Sequence, residues 1–240
     1  MNIVLFDQQD YLNEETVRFT DRRFFHLQKV VRVEEGDQLR VGFINGNMGF
    51  ARVSRVDHEG VELEPVLDTP PPTPTPITLV LALSRPKMMR RIYRMVAELG
   101  IKELIVINTR KTEKSFWQSP VVEQHCLYSY LLEGLEQAVD TRLPTVVFKR
   151  RFKPFVEDEL GGIIGGRLGL VAHPGDYPAS PFAVKEPMVL AIGAEGGFIP
   201  YEVEKLVEAG MQPVTLGSRI LRVENAVVSL ISRLYDGVER

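Results

Sequence analysis

At 240 residues, 44% of them hydrophobic and 25% charged, with a net charge of −3, the chain has the composition of a globular protein with room for one large domain or two modest ones. Cys126 is the only cysteine, which excludes an internal disulfide framework and fits a reducing cytoplasm. With no apolar run near roughly 18 residues and no charged-then-apolar leader at Met1, neither a membrane span nor a secretion signal is expected.

Residues 24–32, FFHLQKVVR, read as a helix. LRVGFI (39–44) then runs into Asn45-Gly46, a two-residue hairpin signal, and GFARVSRV (49–56) returns from it. His58-Glu59-Gly60 makes a second turn before VELEPV. Short strands punctuated by turns predict a small β-barrel-like domain over residues 1–70. DTPPPTPTP at 68–76 holds five prolines in nine residues, too many for a helix or a central strand, so residues 71–76 are expected to form an extended linker.

Beyond it the pattern changes. ITLVLAL (77–83) is a nearly continuous apolar run, as in a strand buried on both faces. Pro86 opens a helix that Gly100 ends, with Met88, Ile92, Met95, Val96 and Leu99 on its apolar face. Strands ELIVIN (103–108), TVVF (145–148), GLVAHP (169–174), MVLAIG (188–193) and PVTLG (213–217) follow, with a helix through 121–139 and a last one over ENAVVSLISRLY (224–235). GGIIGGRLG (161–169) reads as a flexible turn. Strands alternating with helices imply a largely parallel α/β sheet over residues 77–240.

The charge is segregated. Arg85–Lys114 holds nine Lys/Arg against three Glu, and Arg142–Lys153 holds five cations and no acid. Such clusters suit a polyanion-binding face or a solvated helix surface. On the first reading Arg85, Lys87, Arg90, Arg91 and Arg94 would hold phosphates, supported by Arg142, Arg22 and Arg23, with binding that weakens steeply as salt rises.

Two glycine-rich turns, Ala194-Glu195-Gly196-Gly197 and Gly217-Ser218-Arg219, each follow a predicted parallel strand. They should therefore share the sheet edge where open α/β sheets bind ligands. Neither matches a dinucleotide or phosphate-loop fingerprint, and Glu195 would repel a pyrophosphate. A ligand with adenosine but no phosphate fits better, since glycines let the backbone approach and read a base. His173, in AHPGD at the same edge, is either a turn histidine or a ligand contact. The four histidines are scattered, without zinc-ligand spacing, and no GxSxG elbow occurs. No metal is expected.

IGAEGGF (192–198) with LGSRILRVENA (216–226) resembles the IGPEGGF…LGxRILRTETA signature of the 16S ribosomal RNA uridine-N3 methyltransferases, in the SPOUT (trefoil-knot) superfamily. FHLQKVVRVEEGD, LSRPKM followed by AELGIKEL, and LEQAVDTRLPTV are similar to further stretches of that family, so the resemblance runs from about residue 24 to the end. It implies an N-terminal PUA-like barrel that helps hold RNA and a C-terminal α/β domain knotted at its end. It also implies a homodimer, and S-adenosylmethionine bound in the knot by Ile192, Gly193, Glu195, Gly196, Leu216, Gly217, Ile220 and Leu221. Ala194 stands for the family's proline, Val223 and Asn225 for two threonines, and Arg90 and Met95 for an acid and a lysine. These departures bear on the choice of RNA more than on the cofactor.

The expected reaction moves a methyl group to N3 of a uridine in 16S rRNA or the small ribosomal subunit. Arg222, with Arg219 beside it, would stabilise the anion that forms as the N3 proton leaves. Glu224, Glu136 or water would take that proton. The rival readings are methylation of another RNA position, such as a ribose 2′-hydroxyl, and an RNA-binding relative without catalysis.

Overall fold

The computed structural model describes residues 1–235. They form two compact units, Met1–Thr73 with Leu132–Leu143, and Pro74–Leu131 with the chain from Pro144 onward.

The first unit is built on a five-stranded mixed sheet in the order β1-β3-β4-β5-β2: β1 (Val4–Phe6), β2 (Val17–Phe19), β3 (Gln38–Phe43), β4 (Met48–Val56) and β5 (Val61–Thr69). β1 runs parallel to β3, and the other pairs are antiparallel. The hairpin predicted at Asn45-Gly46 joins β3 to β4, with Asn45 at φ 63°, a conformation asparagine tolerates better than most residues. Alternation along the strands places Val4, Phe6, Phe19, Val41, Val53 and Leu63 in one core. α1 (Arg22–His26) adds Phe24 to it, and the π-turn Leu27–Val31 that continues α1 adds Leu27. At three residues each, β1 and β2 carry too little pattern to be read from sequence.

Arg23 and Arg22, expected on the RNA face, both take part in ion pairs within this unit. The Arg23 side chain is only 14% exposed. It donates to both carboxylate oxygens of Asp10 (2.7 and 2.6 Å), to Asp21 and to the Leu5 carbonyl, and lies 4.2 Å from the Phe19 ring centroid. Burial works against its charge, but the hydrogen bonds it donates to Asp10 and Asp21 more than compensate and hold its pKa above the usual guanidinium value. No donor is left for a phosphate. Arg22 donates two hydrogen bonds (3.1 and 2.7 Å) to Glu136, a 4% exposed residue on α3 (Gln124–Ala138). Glu136, one of the candidate bases, is thus already the acceptor of an ion pair.

The second unit is a six-stranded parallel sheet in the order β11-β9-β10-β6-β7-β8: β6 (Thr75–Ala82), β7 (Ile101–Ile107), β8 (Thr145–Lys149), β9 (Leu168–Ala172), β10 (Met188–Ile192) and β11 (Gln212–Val214). Pro76 was expected in the linker, yet it lies inside β6. The β6–β7 register shifts between Thr75 and Thr78, and an irregularity there accommodates a residue with no N–H to give. α2 (Pro86–Glu98) buries Met89, Ile92, Tyr93, Val96 and Ala97; of the face expected from the sequence Ile92 and Val96 are buried, while Met88, Met95 and Leu99 are only partly so. The large side chain of Tyr93 sets the buried face: it is enclosed and donates its hydroxyl to the Val121 carbonyl at 3.0 Å. Burial pushes that hydroxyl well above the usual phenol pKa.

α4 (Phe152–Pro154), the π-turn Phe155–Leu160 and α5 (Gly161–Ile164) make a continuous helical run. Its Phe152, Phe155, Val156, Leu160 and Ile164 join a core with α6 (Pro200–Glu208) and β10. The glycine-rich stretch taken for a turn therefore begins inside a helix, which the buried aromatics upstream hold in place despite the glycines. α7 (Val223–Leu234) packs on α2 and β10. The segment between β9 and β10 straps across the end of the chain. Ser180 donates to the Thr215 carbonyl (2.8 Å), Thr215 to that of Pro178 (2.9 Å), and Ala183 and Val184 to those of Arg233 and Leu234 (2.9 and 2.7 Å).

Replacing Arg23 with alanine strands Asp10 without its partner and should cost about 3–5 kcal/mol in urea unfolding of the N-terminal unit. A loss under about 1 kcal/mol would put Arg23 with ordinary surface pairs.

Candidate functional site

Strands β11, β9 and β10 lie side by side and parallel, so the turns that follow them open on one edge of the sheet. They line a small cleft, open to solvent, with walls from Ala172–Pro174, Ile192–Glu195 with Gly197, and Val214–Gly217; Arg219, Ile220, Leu221, Val223, Ala226 and Leu230 complete it. Its few polar groups sit on an apolar lining, as small-molecule sites require. Both predicted turns meet here as the strand order demanded. Seven of the eight residues expected to bind a cofactor line the cleft: Ile192, Gly193, Glu195, Leu216, Gly217, Ile220 and Leu221. Gly196 does not, and its carbonyl accepts a hydrogen bond from Lys111 Nζ.

The turn after β10 is closed tightly. A Cβ on Gly193 would come within 2.9 Å of Gly197 Cα and 3.0 Å of Phe198 N. Gly197 sits at φ 67° and donates to the Ala194 carbonyl at 2.8 Å. Neighbouring loops fasten the turn from outside. Glu195 Oε1 accepts from the Arg85 N–H at 3.0 Å. Glu202, buried in the first turn of α6, accepts from the N–H groups of Ile199 (2.9 Å) and Arg110 (2.7 Å). Glu195 therefore braces the loop that opens α2 while facing the cleft. Arg110, Lys111 and Glu202 carried no signal in the sequence, because their task is to hold loops that only the fold brings together.

Arg222 is exposed and caps α7 through its backbone, its carbonyl accepting from Ala226 N–H at 2.8 Å. Its neighbours Leu221 and Val223 line the cleft. Among the described residues its side chain has no hydrogen-bond or ion-pair partner, and neither does that of Glu224, which is 6% exposed in the first turn of α7. Glu136, by contrast, belongs to the N-terminal unit and is bound by Arg22.

His173 follows β9 and donates its backbone N–H to the Val214 carbonyl at 3.0 Å. Its ring meets Tyr177 edge-on at 6.0 Å. Nδ1 is buried and has no hydrogen-bond partner. Burial first, and then the charge of Lys111, hold its pKa below the usual imidazole value, so the ring is neutral near pH 7.

The basic residues of α2 divide. Arg85, Lys87, Arg90 and Arg91 are exposed, while Arg94 is half-buried with its guanidinium 4.6 Å from the Tyr130 ring centroid. Arg142 is half-buried in the N-terminal unit, its backbone N–H bonded to Asp140 at 2.9 Å. A wider hollow in that unit, lined by Gln8, Tyr11, Leu12, Asn13, Glu14, Phe43, Asn47 and Leu67, carries an acid and no cation, which disfavours a polyanion. Glu123, His125 and Cys126 bring possible metal-ligand atoms within 4.8 Å of one another at the start of α3, with Glu123 and His125 exposed. No helix among the described residues is long and apolar enough to cross a membrane.

The model of an RNA methyltransferase domain matches residues 71–235, and that of an RNA methyltransferase PUA domain matches residues 19–66. Ribosomal RNA small subunit methyltransferase E of Treponema pallidum is 31% identical over 94% of this chain and 87% of its own length. The protein of the same name from Synechocystis is 27% identical over 92% and 73%. Among solved structures, a ribosomal RNA small subunit methyltransferase E from Neisseria gonorrhoeae bound to S-adenosyl methionine superposes with a TM-score of 0.76 at 22% identity, covering 96% of this chain and 95% of that one. A Legionella pneumophila methyltransferase in complex with the same cofactor reaches 0.75 at 24% identity, with the same coverage. The two folds, a PUA-like half-barrel and a parallel α/β domain, are those of these proteins.

Because the β10 turn has no room at Gly193, Gly193→Ala should destabilise the fold by roughly 1–3 kcal/mol, read as a lowered midpoint in thermal unfolding. An unchanged midpoint would mean that the turn can widen at no cost.

Proposed function

The chain belongs to the family of the ribosomal RNA small subunit methyltransferases E, and on that premise we propose that it transfers a methyl group from S-adenosylmethionine to N3 of a uridine in 16S rRNA. The observation that carries this reading is the cleft at the ends of β11, β9 and β10. It offers apolar walls from Ile192, Leu216 and Leu221, backbone from the Gly193 and Gly217 turns, and one carboxylate, Glu195. That set suits a ligand with an aromatic base and a cationic centre.

The cofactor's sulfonium supplies a methyl already activated for transfer. The chain has then to orient the uracil, take its N3 proton and stabilise the anion that results. Arg222 suits the last task. Without a partner among the described residues, it stands beside two cleft-lining residues at the N-terminus of α7, where helix amides also favour negative charge. Glu224, in the same first turn and without a partner among the described residues, is the better placed of the two candidate carboxylates to receive the proton. Glu136 is occupied by Arg22. The exposed Arg85, Lys87, Arg90 and Arg91 would hold rRNA phosphates, with Arg94 and Arg142 in support.

We further infer that the active form is a homodimer and that its C-terminal segment is knotted. Ile220 is 82% exposed, and Leu216, Leu221, Val228 and Phe182 are also exposed apolar groups. A second copy would remove them from water. The strap at 178–184, bonded to both Thr215 and the end of α7, supports a threaded terminus. Light scattering should give twice the chain mass, and Ile220→Asp should shift it toward the monomer; a monomeric wild type would contradict the dimer.

The function is tested by incubating the protein and labelled cofactor with small ribosomal subunits that lack the modification, then mapping the product by nucleoside mass spectrometry. N3-methyluridine is expected. A 2′-O-methylated nucleoside would support the rival position, and no transfer would support a binding-only relative. Arg222→Ala should keep cofactor affinity and lose roughly 10²-fold in kcat, whereas full activity would remove Arg222 from the mechanism.

A further inference from the structure

His173 presents a problem that the reading above leaves unsolved. Its Nδ1 is buried in the cleft wall without a hydrogen-bond partner. Buried polar atoms of this kind are rare in folded proteins and call for an explanation. The ring cannot easily turn away to find one. Its backbone is tied to β11 through the Val214 carbonyl at 3.0 Å, and its edge rests on Tyr177. Gly197, in the turn after β10, lies on the Nδ1 and Cε1 side: a Cβ there would be 4.0 Å from Nδ1 and 3.8 Å from Cε1. Nδ1 thus belongs to the space between the β9 and β10 turns.

We infer that His173 is a cofactor-binding residue, whose Nδ1 accepts a hydrogen bond from a donor group of the ligand in this cleft, an amino N–H or a ribose O–H. The inference rests on the proposal that the cleft takes S-adenosylmethionine. A neutral imidazole has one bare nitrogen and one N–H. Burial and the nearby Lys111 charge keep this ring neutral. Nε2 is not among the buried atoms without partners, so the proton is best placed on Nε2, where water can accept it. A buried lone pair is also tolerated better than a buried orphan N–H. Nδ1 is then the acceptor, which excludes a carboxylate or carbonyl of the ligand as its partner and selects a donor, an N–H or an O–H.

The two ring nitrogens can be told apart by substitution. An asparagine side chain places its polar atoms near the position of Nδ1, while a glutamine reaches toward that of Nε2. Calorimetry with S-adenosylhomocysteine, alongside thermal unfolding of each variant, should show His173→Ala and His173→Gln binding about tenfold more weakly and His173→Asn close to wild type. Equal affinity in all the proteins would overturn the inference, as would loss in the glutamine and asparagine variants alike. If the wild type itself fails to bind at millimolar ligand, the cofactor reading falls and this inference with it. A variant that fails to fold is bypassed by NMR of the unaltered protein labelled with ¹⁵N-histidine. The Nδ1 resonance of His173 should move from that of a free lone pair toward that of a hydrogen-bonded acceptor when ligand is added, and an unmoved resonance contradicts the assignment.

Discussion

Strands β11, β9 and β10 end together, and the backbone groups at those ends must be satisfied by turns and neighbouring loops, because the sheet interior offers them nothing. That requirement organises the second unit. The β10 turn is folded so closely that Gly193 and Gly197 nearly touch, and its outer side is fastened by the Arg85 N–H, by Lys111 and by the buried carboxylate of Glu202. What remains between the turns is a cleft with fixed backbone on its walls. A site made this way orients a ligand without spending entropy on ordering loops at the moment of binding.

Charge is allotted by the same economy of partners. Arg23 and Arg22 sit within ion pairs of the N-terminal unit, whereas Arg85, Lys87, Arg90 and Arg91 stand in solvent on α2. Arg222 and Glu224 share the first turn of α7 beside the cleft, and neither has a partner among the described residues. Cations engaged within the fold stabilise it. Those left unpaired beside a ligand cleft can act on what binds there.

Much of this was legible in the sequence, for identifiable reasons. Continuous apolar runs such as ITLVLAL suit strands covered on both faces, and glycine turns that follow parallel strands fall on one edge of the sheet. The resemblance carried by IGAEGGF with LGSRILR then pointed to the individual residues of the cleft. Other features depend on partners distant in sequence. Nothing in Arg23 announces Asp10 as its partner, and nothing in Lys111 announces the Gly196 carbonyl. The buried face of α2 was misjudged by one position because apolar periodicity counts Met88 and Met95 equally with Tyr93, while the core selects the side chain whose hydroxyl finds Val121. The helical run 152–164 was missed because its glycines speak against a helix and its tertiary packing overrides them. His173 was visible as a residue but not as a buried atom without a partner.

The central claim is that the cleft at the ends of β11, β9 and β10 is where the methyl donor binds. A crystal structure of the protein with S-adenosylhomocysteine tests it most directly. Ligand density is expected among Ile192, Leu216 and Leu221, with backbone contacts to the turns at Gly193 and Gly217. Density in the hollow of the N-terminal unit, with the cleft empty at saturating ligand, would contradict the account.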